Sequence, residues 1–238
     1  CRPIEWGADI VTHSTTKYMD GHGVAVGGVI VDSGKFDWTN GKFPEFTEPD
    51  ESYHGVRYTE NFGVENAYIT KARVQLMRDF GVSTTAQAAF LLDLGMQTLD
   101  VRLDRHCKNA YTVAKFLEES GYAEYVNYAG LESNKYNELA KKYLPKGCCG
   151  VVSFCIKDGR EKAERFMNSL SLFVNAVHVA TVHSCVLHPA SSTHRQLSDE
   201  MLVKAGIDAG LIRISVGIES IEDILADLKQ ALESAFGE

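Results

Sequence analysis

The stretch THSTTKYMDGHGVAVGG, residues 12–28, places one lysine, Lys17, between hydroxyl side chains and glycines. On extended backbone, alternate side chains point to opposite sides, so we expect Ser14 and Thr16 to point one way and Lys17 the other. The glycines let the backbone turn sharply or approach a bound group closely. A strand-like run, VIV at residues 29–31, follows. The stretch therefore predicts a segment that places an amine beside a small anion.

A lysine in such a segment has chemistry that an ordinary surface lysine lacks. An amine that is moved out of water is more often neutral, and a neutral amine attacks a carbonyl to form a Schiff base. Pyridoxal phosphate offers both a carbonyl and a phosphate. The alternative is a loop lysine that happens to lie between Ser and Thr residues, and spacing alone leaves both interpretations open.

Longer stretches of the chain resemble a known family. HSTTKYMDGHG (residues 13–23), with Gly27 and Gly28 shortly after it, resembles the lysine segment of the Cys/Met-metabolism family of pyridoxal-phosphate enzymes. The pattern of that family is Ser-x-Thr-Lys-Tyr, a spacer, Gly-His and then Gly-Gly. Four later stretches resemble one branch of that family: YHGVRYTENFG (53–63), LESNKYNELAKKYLPKG (131–147), HPASSTHRQLS (188–198) and LIRISVGIE (211–219). The resemblance covers nearly the whole chain.

The resemblance implies a specific site. Lys17 would bind pyridoxal phosphate as a Schiff base, and Ser14 and Thr16 would help to bind its phosphate. Arg213, in the motif Arg-x-Ser-x-Gly-x-Glu, would bind the substrate carboxylate. Thr181 would contribute to the same carboxylate site, although this sequence lacks the Gly-Asp pair that the family has there and we expect a shorter connection.

Arg213 is also unusual without the resemblance. It shares one strand face with Leu211, Ser215 and Gly217, whereas the other face is entirely apolar. Burying a guanidinium without a partner is costly, and a carboxylate would satisfy it with two parallel hydrogen bonds. The alternative is a structural ion pair with an Asp or Glu of this chain.

The resemblance implies an activity as well. The branch in question replaces the acetate of O-acetyl-L-homoserine with sulfide, giving L-homocysteine, and the enzyme would be a homotetrameric transferase of methionine and cysteine biosynthesis. Two alternatives within the family are a γ-elimination lyase and a cystathionine γ-synthase-like enzyme. An alternative of another class is a non-catalytic fragment that acts only as a structural half.

Composition limits the class of protein. The 238 residues are 45% hydrophobic and 24% charged, which is typical of a globular protein with one or two domains. A net charge of −8 without a basic run argues against a nucleic-acid partner. Because no apolar run approaches the roughly 20 residues that span a bilayer, we expect a soluble, cytoplasmic protein.

Cysteines and histidines do not form a recognisable metal or disulfide pattern. The six cysteines show no C-x-x-C pair and no regular spacing, so we expect reduced thiols. His178, His183, His188 and His194 cluster along the chain, but their spacing matches no zinc motif. We therefore predict no metal site.

The hydrophobic pattern indicates an α/β fold. Predicted strands are 8–12, 24–32, 122–127, 150–156 and 211–218, and predicted helices are 65–80, 85–94, 99–120, 134–143, 160–170 and one that begins after Ser220. The helix at 99–120 is the candidate bridge between domains, and it carries a predicted apolar stripe that includes Leu99, Leu103, Val113 and Leu117. By resemblance, residues 1–104 end the large cofactor domain of a fold-type-I transferase, and residues 105–238 form the bridging helix and a smaller α/β domain.

Two further regions carry expectations. The chain opens with Cys1 and reads like the middle of an α/β domain, so we expect it to be the C-terminal part of a longer enzyme. Residues 33–60 are rich in Gly, Pro and aromatic residues, which is typical of a long loop that lines a site. The alternative is that these aromatic side chains only seal the domain surface.

Overall fold

The computed structural model describes residues 1–237, except for the side chain of Asp199. Its contacts divide the chain into two compact units. The first comprises Cys1–Thr15 and Ala25–Leu91, and the second comprises Thr16–Val24 and the chain from Leu92 onward. The division differs from the boundary predicted between residues 104 and 105. Units defined by contacts need not coincide with the domains of a protein family. The predicted domain assignment therefore stays a prediction.

The first unit contains a two-stranded sheet and several short helices. In chain order its elements are β1 (Ile10–Ser14), β2 (Gly28–Asp32), α1 (Pro44–Thr47), α2 (Tyr58–Phe62), α3 (Val64–Lys71) and α4 (Arg78–Phe80). The two strands are antiparallel, and a π-helix, Ala72–Met77, joins α3 to α4. Gly81 ends this helical run with a φ of 68°, at the end of the helix predicted for residues 65–80. The next helix, α5 (Ala86–Gln97), begins in this unit and ends in the second.

Aromatic residues of the predicted loop form the core of the first unit. Trp38, Phe46 and Tyr58 are buried, and Trp38 stacks on Tyr68 with 5.4 Å between ring centroids. Phe36 and other partly buried residues pack around them. The hypothesis that this segment lines a site is therefore unnecessary to explain its aromatic content, because the rings supply the apolar surface that these short helices bury.

The second unit is built on a five-stranded sheet. In chain order its elements are α6 (Leu99–Glu119), β3 (Ala123–Asn127), α7 (Asn137–Tyr143), β4 (Val151–Ile156), α8 (Gly159–Ser169), β5 (Val174–Asn175), β6 (Cys185–Leu187), α9 (Asp199–Lys204), β7 (Leu211–Ser215) and α10 (Ile221–Phe236). The strand order is β3-β4-β7-β6-β5, and only β5 and β6 pair in parallel. A mixed α and β fold is confirmed, although the sheet is mainly antiparallel.

The core of this unit lies between the sheet and helices α6, α8 and α10. Ile212 and Ile214 of β7 are fully buried in it, together with Phe154 of β4 and Phe166 of α8. The predicted alternation is confirmed for residues 211–215, where it leaves Arg213 on the opposite face of β7, but the strand ends at Ser215 and does not extend to residue 218 as predicted. Helix α10 begins after Ser220, as predicted, and the Ser220 side chain caps it by accepting from the backbone N–H of Asp223.

Helix α6 follows the predicted stripe only in its second half. Its C-terminal half buries apolar side chains, including Val113 and Leu117, whereas its N-terminal half buries Arg102, His106 and Asn109. Sequence periodicity favoured Leu99 and Leu103, which are only half-buried. The polar stripe is buried because it binds backbone groups of the candidate site. Within the described part of the chain, no helix is both long and apolar enough to span a membrane.

Candidate active site

Lys17 lies in a turn and not on extended backbone. Strand β1 ends at Ser14, residues 15–20 form turns, and the N–H of Gly21 donates to the Lys17 carbonyl at 2.8 Å. The alternation predicted for Ser14, Thr16 and Lys17 is therefore wrong beyond Ser14. The Lys17 side chain is half-buried, and among the described residues its amine has no hydrogen bond or ion pair.

Arg102 anchors the segment Thr16–Val24, which we call the Lys17 segment. Its guanidinium donates to the carbonyls of Tyr18 (2.9 Å) and Gly95 (2.5 Å) and to the hydroxyl of Thr98 (3.0 Å). Burial lowers the pKa of Arg102, and Asp20 opposes that shift. A buried guanidinium that binds neutral acceptors is a rigid support for the backbone beside Lys17.

The residue after Lys17 provides a second anchor. The Tyr18 hydroxyl accepts the N–H of Gly150 at 2.8 Å, and its ring packs edge-on against His106, 5.2 Å between centroids. His106 in turn donates from Nδ1 to the carbonyl of Val216 at 2.7 Å. Burial raises the pKa of Tyr18, so the phenol stays protonated. Both anchors hold the backbone immediately after Lys17.

A connection that precedes β6, residues 176–184, joins the Lys17 segment to the Arg213 strand. Val182 donates its N–H to Gly21 at 2.8 Å and accepts the N–H of Ile218 at 3.0 Å. The N–H of Ala180 donates to the Ser215 hydroxyl at 2.8 Å. Ala180 has a φ of 70°, a conformation that glycine adopts most easily.

Glu219, the last residue of the Arg-x-Ser-x-Gly-x-Glu motif, binds Ser184 at the C-terminal end of this connection. The Glu219 carboxylate accepts from the backbone N–H of Ser184 at 2.6 Å and from its hydroxyl at 3.0 Å. The Ser184 hydroxyl also accepts the N–H of Gly217 at 2.9 Å. Asn109 of α6 donates to the carbonyls of Gly217 and Glu219, both at 3.0 Å. These contacts give Glu219 a structural role.

Arg213 has no carboxylate partner among the described residues. One nitrogen, Nη2, donates to the carbonyl of Val177 at 2.7 Å and, more weakly, to that of His178 at 3.5 Å. The Nε atom is buried without a partner. Burial lowers the pKa of Arg213. The predicted alternative, a structural ion pair, is therefore absent from this part of the chain, and donors remain for a bound carboxylate.

His178 lies among the charged groups of the site. Both ring nitrogens are buried without a hydrogen-bond partner in the described residues, as is Oδ1 of Asp20. Burial lowers the pKa of His178; Lys17 and Arg213 lower it further, while Asp20 and the Val179 backbone oppose the shift. Buried polar atoms without partners are costly, so their concentration here indicates a place for a polar ligand.

The other predicted site residues are placed as follows. Thr181 is buried beside Gly23, but its hydroxyl donates to the carbonyl of His183 at 3.0 Å. That bond uses the single hydroxyl proton, so it does not support the predicted substrate contact. Ser14 is the exposed last residue of β1, and Thr16 is half-buried at the start of the Lys17 segment. Their phosphate contacts stay predictions.

Sequence reasoning missed the roles of Arg102 and His178. Arg102 had a detectable signal, because Arg102, His106 and Asn109 recur at helical spacing. His178 was considered only as a possible metal ligand. The four histidines do not converge: His188, for example, donates from Nε2 to the carbonyl of Ala209 at 2.7 Å and bonds Ser191 through Nδ1 at 2.8 Å. In the described residues no group of three or more metal-ligating side chains occurs.

Comparison with known proteins gives a consistent result. The model of the Cys/Met metabolism PLP-dependent enzyme family matches residues 1–233. Homocysteine synthase of Schizosaccharomyces pombe is 48% identical over 98% of this chain and 55% of its own length. O-acetyl-L-homoserine sulfhydrylase of Leptospira meyeri is 46% identical over 98% of this chain and 54% of its own length.

A solved structure extends the comparison to the fold. It is a putative O-acetylhomoserine (thiol)-lyase of Campylobacter jejuni, described as carrying a pyridoxyl-lysine monophosphate, with a TM-score of 0.90 and 38% identity. The match covers 98% of this chain and 56% of that one, so the chain spans about half the length of the relatives it matches. The chain belongs to the Cys/Met metabolism family of pyridoxal-phosphate-dependent enzymes.

Proposed function

We propose that the whole protein catalyses γ-replacement on O-acetyl-L-homoserine, with sulfide as the incoming group and L-homocysteine and acetate as products. The observation that carries the proposal is that Lys17 and Arg213 both act on His178, in a cluster of buried polar atoms that lack partners among the described residues. The relatives' names favour this reaction over γ-elimination and cystathionine synthesis. The reaction breaks the bond from the γ carbon to the acetate oxygen and forms a carbon–sulfur bond there.

The residues present suit pyridoxal phosphate. The half-buried Lys17 amine, which makes no hydrogen bond in the described chain, would hold it, and Ser14 and Thr16 would bind its phosphate. When bound, pyridoxal phosphate withdraws electrons from the carbons beside the substrate amine, which makes their protons removable. Tyr18 and Arg102 keep the Lys17 backbone fixed, so the amine needs little reorganisation.

The substrate would be oriented by Arg213. Its unpartnered Nε and its free guanidinium donors match the two oxygens of an α-carboxylate. With the cofactor and substrate bound, Lys17 Nζ would carry a proton between the α and β carbons of the substrate. We also propose that Thr181 borders the carboxylate site, that the enzyme is a homotetramer and that it acts in the cytoplasm.

The test uses the full-length protein loaded with pyridoxal phosphate. O-acetyl-L-homoserine and sulfide should give homocysteine and acetate in equal amounts, measured by chromatography. Release of a keto acid and ammonia as the main products would instead identify a γ-elimination lyase, and use of cysteine in place of sulfide a cystathionine synthase. No product together with no visible cofactor absorbance would favour the non-catalytic alternative.

A further inference from the structure

Three of the six cysteines come together beside the Tyr18 anchor. Cys107 lies on α6, and Cys148 and Cys149 lie on the loop that precedes β4. Gly147 of that loop packs on Cys107 so closely that a Cβ there would lie 2.7 Å from the Cys107 sulfur. The backbone N–H of Cys149 hydrogen-bonds the same sulfur. The Cys107 thiol therefore contacts the loop on both sides of Cys148.

Cys149 is the loop thiol best placed to pair with Cys107. Of the two loop thiols, Cys149 acts more strongly on the Cys107 thiol than Cys148 does. The nitrogen that contacts the Cys107 sulfur is only three bonds from the Cys149 sulfur, so a change of side-chain rotamer with a small backbone shift can bring the two sulfurs together. Both thiols also act on the hydroxyl of Tyr18.

A small oxidant has access to this pair. A surface cavity of about 260 Å³ is lined by Cys107 and Cys148, and Cys149 is an exposed residue. Burial raises the pKa of the Cys107 and Cys149 thiols, so both stay protonated and reduced at neutral pH. Because the thiolate is the reactive form, they should respond to sustained oxidation and not to traces of oxidant.

We propose that Cys107 and Cys149 form a redox modification site, which a hydroperoxide converts to a disulfide that detaches Tyr18 from the loop before β4. One thiol attacks the peroxide, so that a sulfur–oxygen bond forms, the oxygen–oxygen bond breaks and an alcohol or water leaves. The second thiol then attacks the sulfenic acid, the sulfur–sulfur bond forms and water leaves. The two thiols lose two protons and two electrons, and the peroxide takes them up.

The disulfide would act on the Lys17 segment through Tyr18. In the reduced protein the Tyr18 hydroxyl interacts with the Cys149 thiol and accepts the N–H of Gly150 at 2.8 Å. Drawing the Cys149 side chain towards Cys107 removes the first contact and shifts the residue that makes the second. The inference rests on the proposed function here, because the backbone that loses its anchor is the backbone beside Lys17.

The experiment uses the full-length, cofactor-loaded protein. After treatment with hydrogen peroxide at pH 8.5, the remaining thiols are alkylated and the protein is digested without reduction for peptide mass spectrometry. A peptide containing Cys107 should be linked to the peptide containing Cys148 and Cys149. The dissociation constant of pyridoxal phosphate, measured by ultrafiltration, should rise roughly tenfold, as expected for the loss of one hydrogen bond.

Serine variants identify the pair. Cys107→Ser and Cys149→Ser should each abolish the link and keep cofactor affinity unchanged by peroxide, whereas the matched control Cys148→Ser should behave like the wild-type protein. Dithiothreitol should restore cofactor affinity, which separates the disulfide from oxidised methionine, since dithiothreitol does not reduce a sulfoxide at a useful rate. Tyr18→Phe should still form the disulfide, but its cofactor affinity should no longer respond to peroxide.

The mass measurement keeps this inference separate from the proposed function, because it needs no turnover. No link, a link that persists in Cys149→Ser, or a disulfide that leaves cofactor affinity unchanged would each overturn the inference and leave the proposed function intact. A reduced full-length protein that binds no pyridoxal phosphate would overturn the proposed function, and with it the effect assigned to the disulfide.

Discussion

Arg102 shows how a single buried charge organises the candidate site. Among the described residues its three hydrogen bonds go to neutral acceptors, two of them backbone carbonyls, so its main role is to position the Lys17 segment. The close approach of the guanidinium to the backbone is possible only because the neighbouring residue, Gly21, has no side chain. The geometry of the segment thus depends on two residues that do not touch a ligand.

Replacing Gly21 with Ala should therefore destabilise the second unit. Gly21 has a φ of 75°, and an added Cβ would clash with the Arg102 guanidinium. The left-handed conformation alone costs an alanine about 1–2 kcal/mol, and loss of even one charged hydrogen bond adds about 1.5 kcal/mol. Urea unfolding should show a loss of roughly 3 kcal/mol, accompanied by weaker binding of pyridoxal phosphate.

Gly206→Ala is the matched control. Gly206 has a similar φ of 73° in the same unit, but no atom lies near the place a Cβ would take. Its substitution should cost only the conformational part, about 1–2 kcal/mol, and leave cofactor affinity unchanged. Equal losses for the two variants would contradict the anchoring role of Arg102.

Residue-level prediction succeeded where chemistry and pattern coincided. Arg213 was recognisable because a guanidinium interrupts an apolar strand, and the structure leaves it without a carboxylate partner in the described chain. His178 was not recognisable, because its environment comes from a segment far away in the chain and from a turn whose left-handed residue, Ala180, gives no sequence signal. Such placement depends on tertiary contacts.

At the scale of elements, the first unit is held by a polar cluster beside its aromatic core. The Asp50 carboxylate accepts from the hydroxyls of Ser52 and Tyr58, both at 2.6 Å, and lies 3.5 Å from the Lys71 ammonium. The Ser52 hydroxyl, then the Tyr58 hydroxyl and more weakly Lys71, lower the pKa of Asp50 to about 2. This cluster ties the segment before α2 to α3.

The cluster predicts how acid affects the first unit. Because the pKa of Asp50 is about 2 in the folded protein and 3.8 when unperturbed, its stabilising effect is complete above pH 3.8 and is lost as the pH falls towards 2. The urea midpoint, followed by the fluorescence of buried Trp38, should fall through this range. Asp50→Asn should be less stable at neutral pH and lack this component of the acid response.

An exposed aspartate serves as control for that experiment. Asp9 belongs to the same unit, and its side chain makes no hydrogen bond among the described residues. Asp9→Asn should therefore reproduce the wild-type pH dependence. If Asp50→Asn also retained it, the acid response would have to arise from other groups.

Element prediction failed mainly for short or polar segments. The long periodic helix α6 was predicted to within one residue and the start of α10 was predicted correctly, whereas strand β6 and helix α9 were missed. Strand β6 has only three residues, Cys185–Leu187, too few for a period to be read, and it is a strand because β7 pairs with it. In the N-terminal half of α6 a polar stripe is buried in place of the expected apolar one, because Arg102 binds the Lys17 segment while His106 and Asn109 bind the backbone that follows β7.

At the scale of the whole molecule, the Lys17 segment is assigned to a different contact unit from the strands that flank it in the chain. It belongs to the second unit together with Arg213 and His178, whereas β1 and β2 belong to the first. Predicting strands and helices in chain order could not reveal this, because the grouping depends on contacts with α6 and the 176–184 connection. The family, by contrast, was apparent from motifs that extend over nearly the whole chain.

The central claim is that Lys17 is the lysine that binds pyridoxal phosphate. The full-length protein, loaded with the cofactor, can be treated with sodium borohydride, which fixes a lysine–pyridoxal bond irreversibly, and then digested for peptide mass spectrometry. We expect the phosphopyridoxyl group on Lys17, and no visible cofactor absorbance in Lys17→Ala. Modification of a different lysine, or normal absorbance in Lys17→Ala, would contradict the account.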